Sequence, residues 1–463
     1  MSRSTKRGRV SEIRDEDSLD RISSLPDELI GHILSFLPTV SALQTSLLST
    51  RWRYLFTLTT SLSFDDREYY ELSSHGNKTR NMGFVRKTRN MGFVRFVSGV
   101  LALHRVTSIQ KFSLKLTHTH KYASSHLHLW INAAILKGVR HLDLYSFCQQ
   151  ISLPNCILCS QTLVRLEINS VMHQVDLKVP RLVCLPNLKV LKLCKVKYLD
   201  AESIRRFCVG CSLLKELVLI KCGLSTDHVR VSALALEKLT VYLCRGHVEI
   251  DAPNLASLSY LYTCSDVMTL LLKKSCSLTR VEVGFHSSEF YDPLGQYVLD
   301  LITGAQHVKE LILTINALKL LTRLDDTQIP RYSKLESLHL DYCSCDTWKY
   351  VTFWLANSPQ LETIVFNEGL LNAAACGTEQ EHEWRPSMKL APFSSNVKTI
   401  EVHQFEGGKM ELLLLNYLLQ NAGVLKKLIL CKSGSMTMEE ELQVSRELLM
   451  LPKTSKHCTI ELK

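Results

Sequence analysis

The sequence predicts an α/β chain: a small all-α unit near the amino terminus, then a solenoid of parallel strands with helical or irregular returns, closed by a specialised end. Three observations predict it. Prolines bracket a short apolar helical stretch between residues 20 and 66, an apolar motif recurs at a regular interval from Val139 onward, and 463 residues exceed what one compact core usually fills.

In the amino-terminal stretch, Pro26 stands where a helix can begin, because its missing N–H is not needed there. Leu29, Ile30, Ile33, Leu34 and Leu37 are then expected on one face of that helix, and Pro38 ends the run. A second apolar set, Leu43, Leu47 and Leu48, leads into the basic-aromatic cluster Arg51, Trp52, Arg53, Tyr54, Leu55 and Phe56. So small a unit carries more apolar surface than it can bury alone, which implies a partner.

The repeat places apolar residues at positions one, four and six. It runs in ten copies from Val139-Leu142-Leu144, through Leu188-Leu191-Leu193 and Leu214-Leu217-Leu219, to Leu361-Ile364-Phe366, with starts 19 to 30 residues apart. That interval brackets the leucine-rich-repeat period, in which each short strand joins a parallel sheet and the return segment packs behind it. Ile204, Phe207 and Cys208 in one return, and Tyr350, Val351, Trp354 and Leu355 in another, have helical spacing. Val397-Ile400-Val402 and Leu425-Leu428-Leu430 continue the pattern around a helix expected at Glu411 to Asn421, so residues 383–463 read as the end of the solenoid.

Before the repeats, KTRNMGFVR at Lys78 to Arg86 recurs without change at Lys87 to Arg95. Only one copy of Phe-Val can occupy a single packing site, so the other is expected to loop out or to extend a helix.

Composition removes several classes. The densest apolar run, Met410 to Leu419, is too short to span a bilayer. Residues 1–19 form a basic tail (Arg3, Lys6, Arg7, Arg9, Arg14) without the apolar core of a secretory signal, so nucleus and/or cytoplasm is expected. The sixteen cysteines are scattered and are expected to be reduced. Cys156-Cys159 and Cys208-Cys211 have zinc-like spacing, but they fall in different repeats. His118, His120, His126 and His128 read as a solvated stretch rather than a metal site. No phosphate loop, zinc-protease motif or nucleophile elbow appears, so no catalytic residue and no cofactor is expected. The net charge of +10 is spread among acids, which argues against nucleic acid as partner.

The stretch from Asp20 to Phe56, with Leu25-Pro26, Ile33-Leu34, Leu37-Pro38, Leu48-Ser49 and Arg51-Trp52 in order, resembles the F-box. Val40 and Thr50 stand where that family commonly has a charged and a basic residue. The carboxy-terminal stretch resembles the plant FBD domain in Trp384, Pro386, Tyr417-Leu418-Leu419, Asn421-Ala422, Leu425-Lys426, Leu448-Leu449, Pro452, Ser455 and Cys458. The whole chain resembles plant F-box/FBD/leucine-rich-repeat proteins. The expected organisation is a tail (1–19), the F-box (20–66), a connector holding the duplication (67–105), repeats (106–368), a loop (369–382) and the FBD domain (383–463).

The resemblance implies a non-catalytic substrate receptor of an SCF-type ubiquitin ligase. Its F-box would bind a Skp-family adaptor and, through it, a cullin and a RING subunit. On that reading Leu25, Pro26, Leu29, Ile33, Leu34, Leu37, Pro38, Leu47, Leu48 and Trp52 are adaptor-binding or F-box-core positions. Two alternatives stay open: a non-degradative or small-molecule-sensing module, and a degenerate family copy. Target-binding residues are sought among exposed repeat positions such as Lys192, Lys195, Lys215, Glu216, Lys309, Glu310, His339 and Asp341.

Overall fold

A leucine flanked by polar residues and followed two places on by another leucine gives a strand with one apolar face, and here such strands stack. In a computed structural model, fifteen strands form one parallel sheet in chain order, from Ser61–Asp65 to Thr459–Leu462. The structure describes residues 21–22, 24–74, 82–117, 122–147, 149–197, 199–223, 228–242, 244, 247–262, 270–272, 277–285, 294–314, 317–318, 330–341, 343, 347–371 and 396–463.

Register follows the motif. Leu142 pairs with Leu166 and Leu144 with Ile168, and Leu166 pairs in turn with Leu191, so positions four and six form two continuous buried rows. Position one (Val139, Leu163, Leu188, Leu214, Leu236) is also buried. Each strand therefore has its apolar atoms against the next repeat, and stacking gives one core from end to end. At position nine, the Cys222 and Cys244 thiols donate to the carbonyls of Leu193 and Leu219, tying each return to the strand before it.

The sheet starts earlier than the sequence pattern indicated. Ser61–Asp65 lies inside the stretch assigned to the helical unit, and Lys111–Leu116 pairs between it and His141–Ser146. Both went unread for a physical reason. Buried Thr59 fills position one of the first, while Ile109, Phe112 and Leu114 complete the second, 50 residues on because two helices intervene.

Those helices are Asp66–Ser74 and Met82–Leu103. The second contains part of the first KTRNMGFVR copy and all of the second, so the duplication extends a helix. Residues Lys78 to Asn81 lie outside the described residues. Phe93, from the second copy, is fully buried against Tyr69, Tyr70, Tyr122 and Trp130. Beneath this cluster the fully buried Asp66 carboxylate accepts from the Thr117 N–H and hydroxyl at 2.7 and 2.8 Å.

The returns differ along the array. Ala201–Gly210, Leu294–Gly304 and Trp348–Asn357 are helices, with Asp200 capping the first by accepting from the Ser203 N–H. Elsewhere the return carries strands. His228–Ser232, His247–Asp251 and Leu270–Leu272 form a three-stranded sheet whose Val229, Val231, Val248, Ile250 and Leu270 face the core.

At the carboxy-terminal end the strands Thr399–Phe405, Lys427–Lys432 and Thr459–Leu462 prolong the same sheet, covered by helices Lys409–Asn421 and Met438–Met450. Leu418, Leu419, Leu425, Leu448 and Cys458 are buried, and the Ser455 hydroxyl donates to Leu425 O at 2.6 Å; Trp384 and Pro386 lie outside the described residues. The junction with the preceding repeat is fastened by Glu411. Its buried carboxylate accepts N–H groups of Leu370, Glu406 and Gly407 at 3.0, 3.0 and 2.9 Å. Gly407 sits at φ +72°, where a side chain would be strained and would meet Val444. Burial raises the Glu411 pKa despite these three donors. No helix among the described residues is long and apolar enough to cross a membrane.

Candidate functional site

The amino-terminal unit is built on two helices and two 3-10 turns: Asp27–Leu34, Thr39–Gln44, Thr45–Leu47 and Trp52–Leu58. Pro26 precedes the first helix at φ −56°, ψ 148°, and Asp27 and Glu28 place negative charge at the positive end of its dipole. Arg51 reaches back to the same point, pairing with Asp27 at 2.9 Å and donating to Leu25 O. The buried side of the helix is Ile30, Gly31 and Leu34, packed on the Trp52–Leu58 turn. Gly31 is required there, since a Cβ would come within 2.7 Å of Leu58 Cβ.

The other side of the same helix is left in solvent. Leu29 and Ile33 on the helix and Leu37 three residues past its end are 50%, 46% and 40% exposed, while Leu47 and Leu48 are 85% and 69% exposed. Eight of the twenty-six exposed large apolar residues among those described fall between Ile22 and Tyr54, more than in any other stretch of that length.

The ten residues singled out from sequence thus separate. Leu34 is core, Leu25 and Trp52 are half-buried against it, and Pro26, Leu29, Ile33, Leu37, Pro38, Leu47 and Leu48 are exposed. Sequence reading missed Phe36 at 77% and Ile22 at 56% exposure. The signal for Phe36 was present, because it stands between Leu34 and Leu37 in the same apolar run.

Two hydroxyls tie this unit to the sheet. The Ser35 hydroxyl donates to Gly31 O and accepts from the Thr60 N–H, both at 2.8 Å, and Thr39 Oγ1 accepts from the Ser63 N–H at 2.8 Å.

The second candidate surface is the open face of the sheet, formed by positions three, five and seven of each repeat. Lys192 lies 3.8 Å from Glu167 and 3.3 Å from Glu216, while Glu310 pairs with Arg280 and stands 3.4 Å from His339. Lys215 and Lys309, at the margin, are engaged by Glu237 and Glu336. Lys195 follows its strand at φ +54°, and its ammonium donates to Val171 O.

The described members of the cysteine and histidine groups have other surroundings. Cys156 donates to Asn132 Oδ1, Cys208 and Cys211 are buried, and burial raises the pKa of all three thiols. His126 stacks on Trp130 and His128 bonds Ser152 O at 3.1 Å, both on the Ser124–Leu136 helix; His118 and His120 lie outside the described residues. Among the described residues no group of three His, Cys, Asp or Glu side chains is placed to hold a metal.

Comparison with known proteins agrees with this two-part construction. Residues 22–61 match the F-box domain family, and residues 100–454 match the family described as At1g61320/AtMIF1, LRR domain. The chain is 30% identical to the F-box/LRR-repeat protein At3g59200 of Arabidopsis thaliana, over 96% of this chain and 88% of that protein. It is also 30% identical to the putative F-box protein At3g58860 of the same plant, over 96% of each. A further relative, the F-box/FBD/LRR-repeat protein At5g56420 of Arabidopsis thaliana, is 26% identical over 95% of this chain and 98% of that protein. With a helical docking unit joined to a repeat sheet, both of them protein-interaction domains, the chain belongs to the plant F-box/leucine-rich-repeat proteins.

Proposed function

We propose that this chain is the substrate-recognition subunit of an SCF-type ubiquitin ligase, working in nucleus or cytoplasm. Its F-box binds a Skp-family adaptor, which joins a cullin and a RING subunit, and its repeat sheet holds a target protein. One observation carries the reading: Leu29, Ile33, Leu37, Leu47 and Leu48 stay in solvent although the unit's own core is already filled by Ile30, Leu34, Leu55 and Phe56. Such a surplus costs solubility unless another protein covers it.

On this reading the chain makes and breaks no bonds. Holding a target lysine beside an activated ubiquitin raises its effective concentration, so that chemistry performed by another subunit is directed by binding here. Against the degenerate-copy alternative, in which the duplication would damage the fold, stands the burial of Phe93 from the second nine-residue copy.

The test is co-purification of the full-length chain with a Skp-family adaptor and cullin, paired with target turnover when the F-box is deleted. The expected result is adaptor capture, and accumulation of sheet-bound partners on deletion. Soluble, folded protein that captures no Skp-family adaptor would overturn the reading.

A further inference from the structure

The open face of the sheet changes character along its length. In the middle, position seven carries Cys194, Ile220, Tyr242 and Leu261, half-exposed and in direct register from strand to strand. Val218 and Thr240 lie beside them at position five. Leu261 is followed in register by Gly284, where the Leu261 and Thr314 side chains fill the space a Cβ would need, so the apolar row ends there.

Beyond Gly284 the face turns acidic, although the chain as a whole carries +10. On the five strands from Arg280–Phe285 to Thr399–Phe405, positions three, five and seven hold Glu282, Glu310, Asp341 and Glu401 against Arg280 alone of the lysines and arginines, with His339 and His403 beside them, His403 at 3.7 Å from Glu401. Glu368 follows one of these strands. Arg280 is used by Glu310, Glu282 accepts from the Ser259 hydroxyl at 2.8 Å, and Asp341 accepts from the Asn367 amide at 3.0 Å. The nearby marginal cations are engaged elsewhere: Lys309 by Glu336, Lys398 by Glu362 and Lys427 by Glu461. Burial raises the Asp341 pKa, the Asn367 hydrogen bond opposes it, and repulsion from Glu368 and Glu282 adds to the rise against attraction from His339.

We infer that the open face between Ile220 and His403 docks an extended segment of the target in which aliphatic or aromatic residues are followed by basic ones. The apolar part lies along Ile220, Tyr242 and Leu261, and the basic part lies over Glu282, Asp341 and Glu401. Apolar contact supplies affinity and the acids supply charge complementarity, rejecting acidic sequences by like-charge repulsion.

Strand spacing sets the pattern. Tyr242 and Glu282 are two strands apart and Tyr242 and Glu401 six, about 10 and 29 Å at ~4.8 Å per strand. At ~3.3 Å per extended residue, the basic positions fall roughly three to nine residues from the apolar pair.

This inference rests on the reading that the chain captures target proteins, and its test is separable from that reading. The full-length protein is titrated by fluorescence anisotropy with a labelled peptide carrying Leu and Tyr, a short Ser-Gly spacer and three alternate lysines, made in both chain directions. Comparison peptides replace the lysines by glutamates, scramble the order, or omit the apolar pair. One direction of the ordered peptide is expected to bind about tenfold more tightly than every comparison peptide. Glu282→Gln with Asp341→Asn is expected to remove most of that preference, with an unchanged melting curve.

Equal binding of the glutamate peptide, of the scrambled peptide or of the lysine-only peptide would overturn the inference, as would a double variant that discriminates like wild type. Adaptor capture measured on the same preparation keeps the two questions apart. Capture without peptide discrimination defeats the inference alone, and discrimination without capture defeats the ligase reading alone.

Discussion

Replacing Leu47 and Leu48 together by alanine should abolish most adaptor affinity while leaving the fold intact. Each substitution removes three carbons, worth about 2.4 kcal/mol on complete burial at ~0.8 kcal/mol per methylene. The free chain leaves these side chains 85% and 69% exposed, so an adaptor that covers them recovers about 2.0 and 1.7 kcal/mol. The sum, about 3.7 kcal/mol, corresponds to roughly 500-fold in Kd. Because neither side chain contributes to the free chain's core, the thermal midpoint should stay within the range of surface substitutions, about 0.5 kcal/mol. Leu34→Ala provides the contrast: at 2% exposure it should cost about 2–5 kcal/mol of stability and weaken adaptor binding only through unfolding. Calorimetric titration against a purified Skp-family adaptor, with a melting curve for each variant, reads both quantities. If the double variant binds within threefold of wild type, or loses stability in step with affinity, the division into docking and core residues is wrong.

Three further outcomes follow from the packing. Gly31→Ala forces a methyl against Leu58 Cβ and its carbonyl, which lie on backbone that cannot swing away, and should cost about 1–3 kcal/mol in a urea melt; an unchanged midpoint would show that the helix and turn do not meet as described. Glu411 has a folded pKa raised above its unfolded value, so between the two the folded state holds more protons and stability falls as pH rises through the folded value. Glu411→Gln should remove that component, so the midpoint difference between wild type and variant should shift against wild type with rising pH; a constant difference, or one moving the other way, contradicts the burial argument. Excision of one KTRNMGFVR copy gives the same polypeptide whichever copy is cut, and the survivor supplies Phe93's contacts. The excised chain should melt close to wild type, whereas Phe93→Ala should lose about 3–5 kcal/mol, and equal damage from both would place the packing site elsewhere.

Sequence pattern was sufficient where periodicity alone decides burial. The rows Leu142, Leu166, Leu191 and Leu217 are legible because a strand with two leucines on one face has one way to turn inward. It was insufficient where two apolar residues stand side by side on a helix. Leu29 and Ile30, or Ile33 and Leu34, are equally apolar, and the choice is made by Leu58 pressing on Gly31, a contact 27 residues away in the chain. The strands of the back sheet were illegible for a related reason: three to five residues long and outside the repeat motif, they owe their pairing to neighbours. On the open face, single charges such as Lys192 and Asp341 were visible, but the change from an apolar to an acidic stretch exists only once registers place Ile220, Tyr242, Leu261 and Gly284 in one row.

The hydroxyls of Ser35 and Thr39 bear on something that affinity does not measure. They fasten the helical unit to the backbone at Thr60 and Ser63, so on the proposed ligase reading adaptor and target would be two ends of one rigid gauge. A gauge selects by reach: of the lysines on a bound target, only those at the set distance from the activated ubiquitin would be served. Loosening the clamp with Ser35→Ala and Thr39→Val would leave both grips as strong as before and blur which lysines are modified, an error visible in the map of ubiquitin sites and silent in every binding curve.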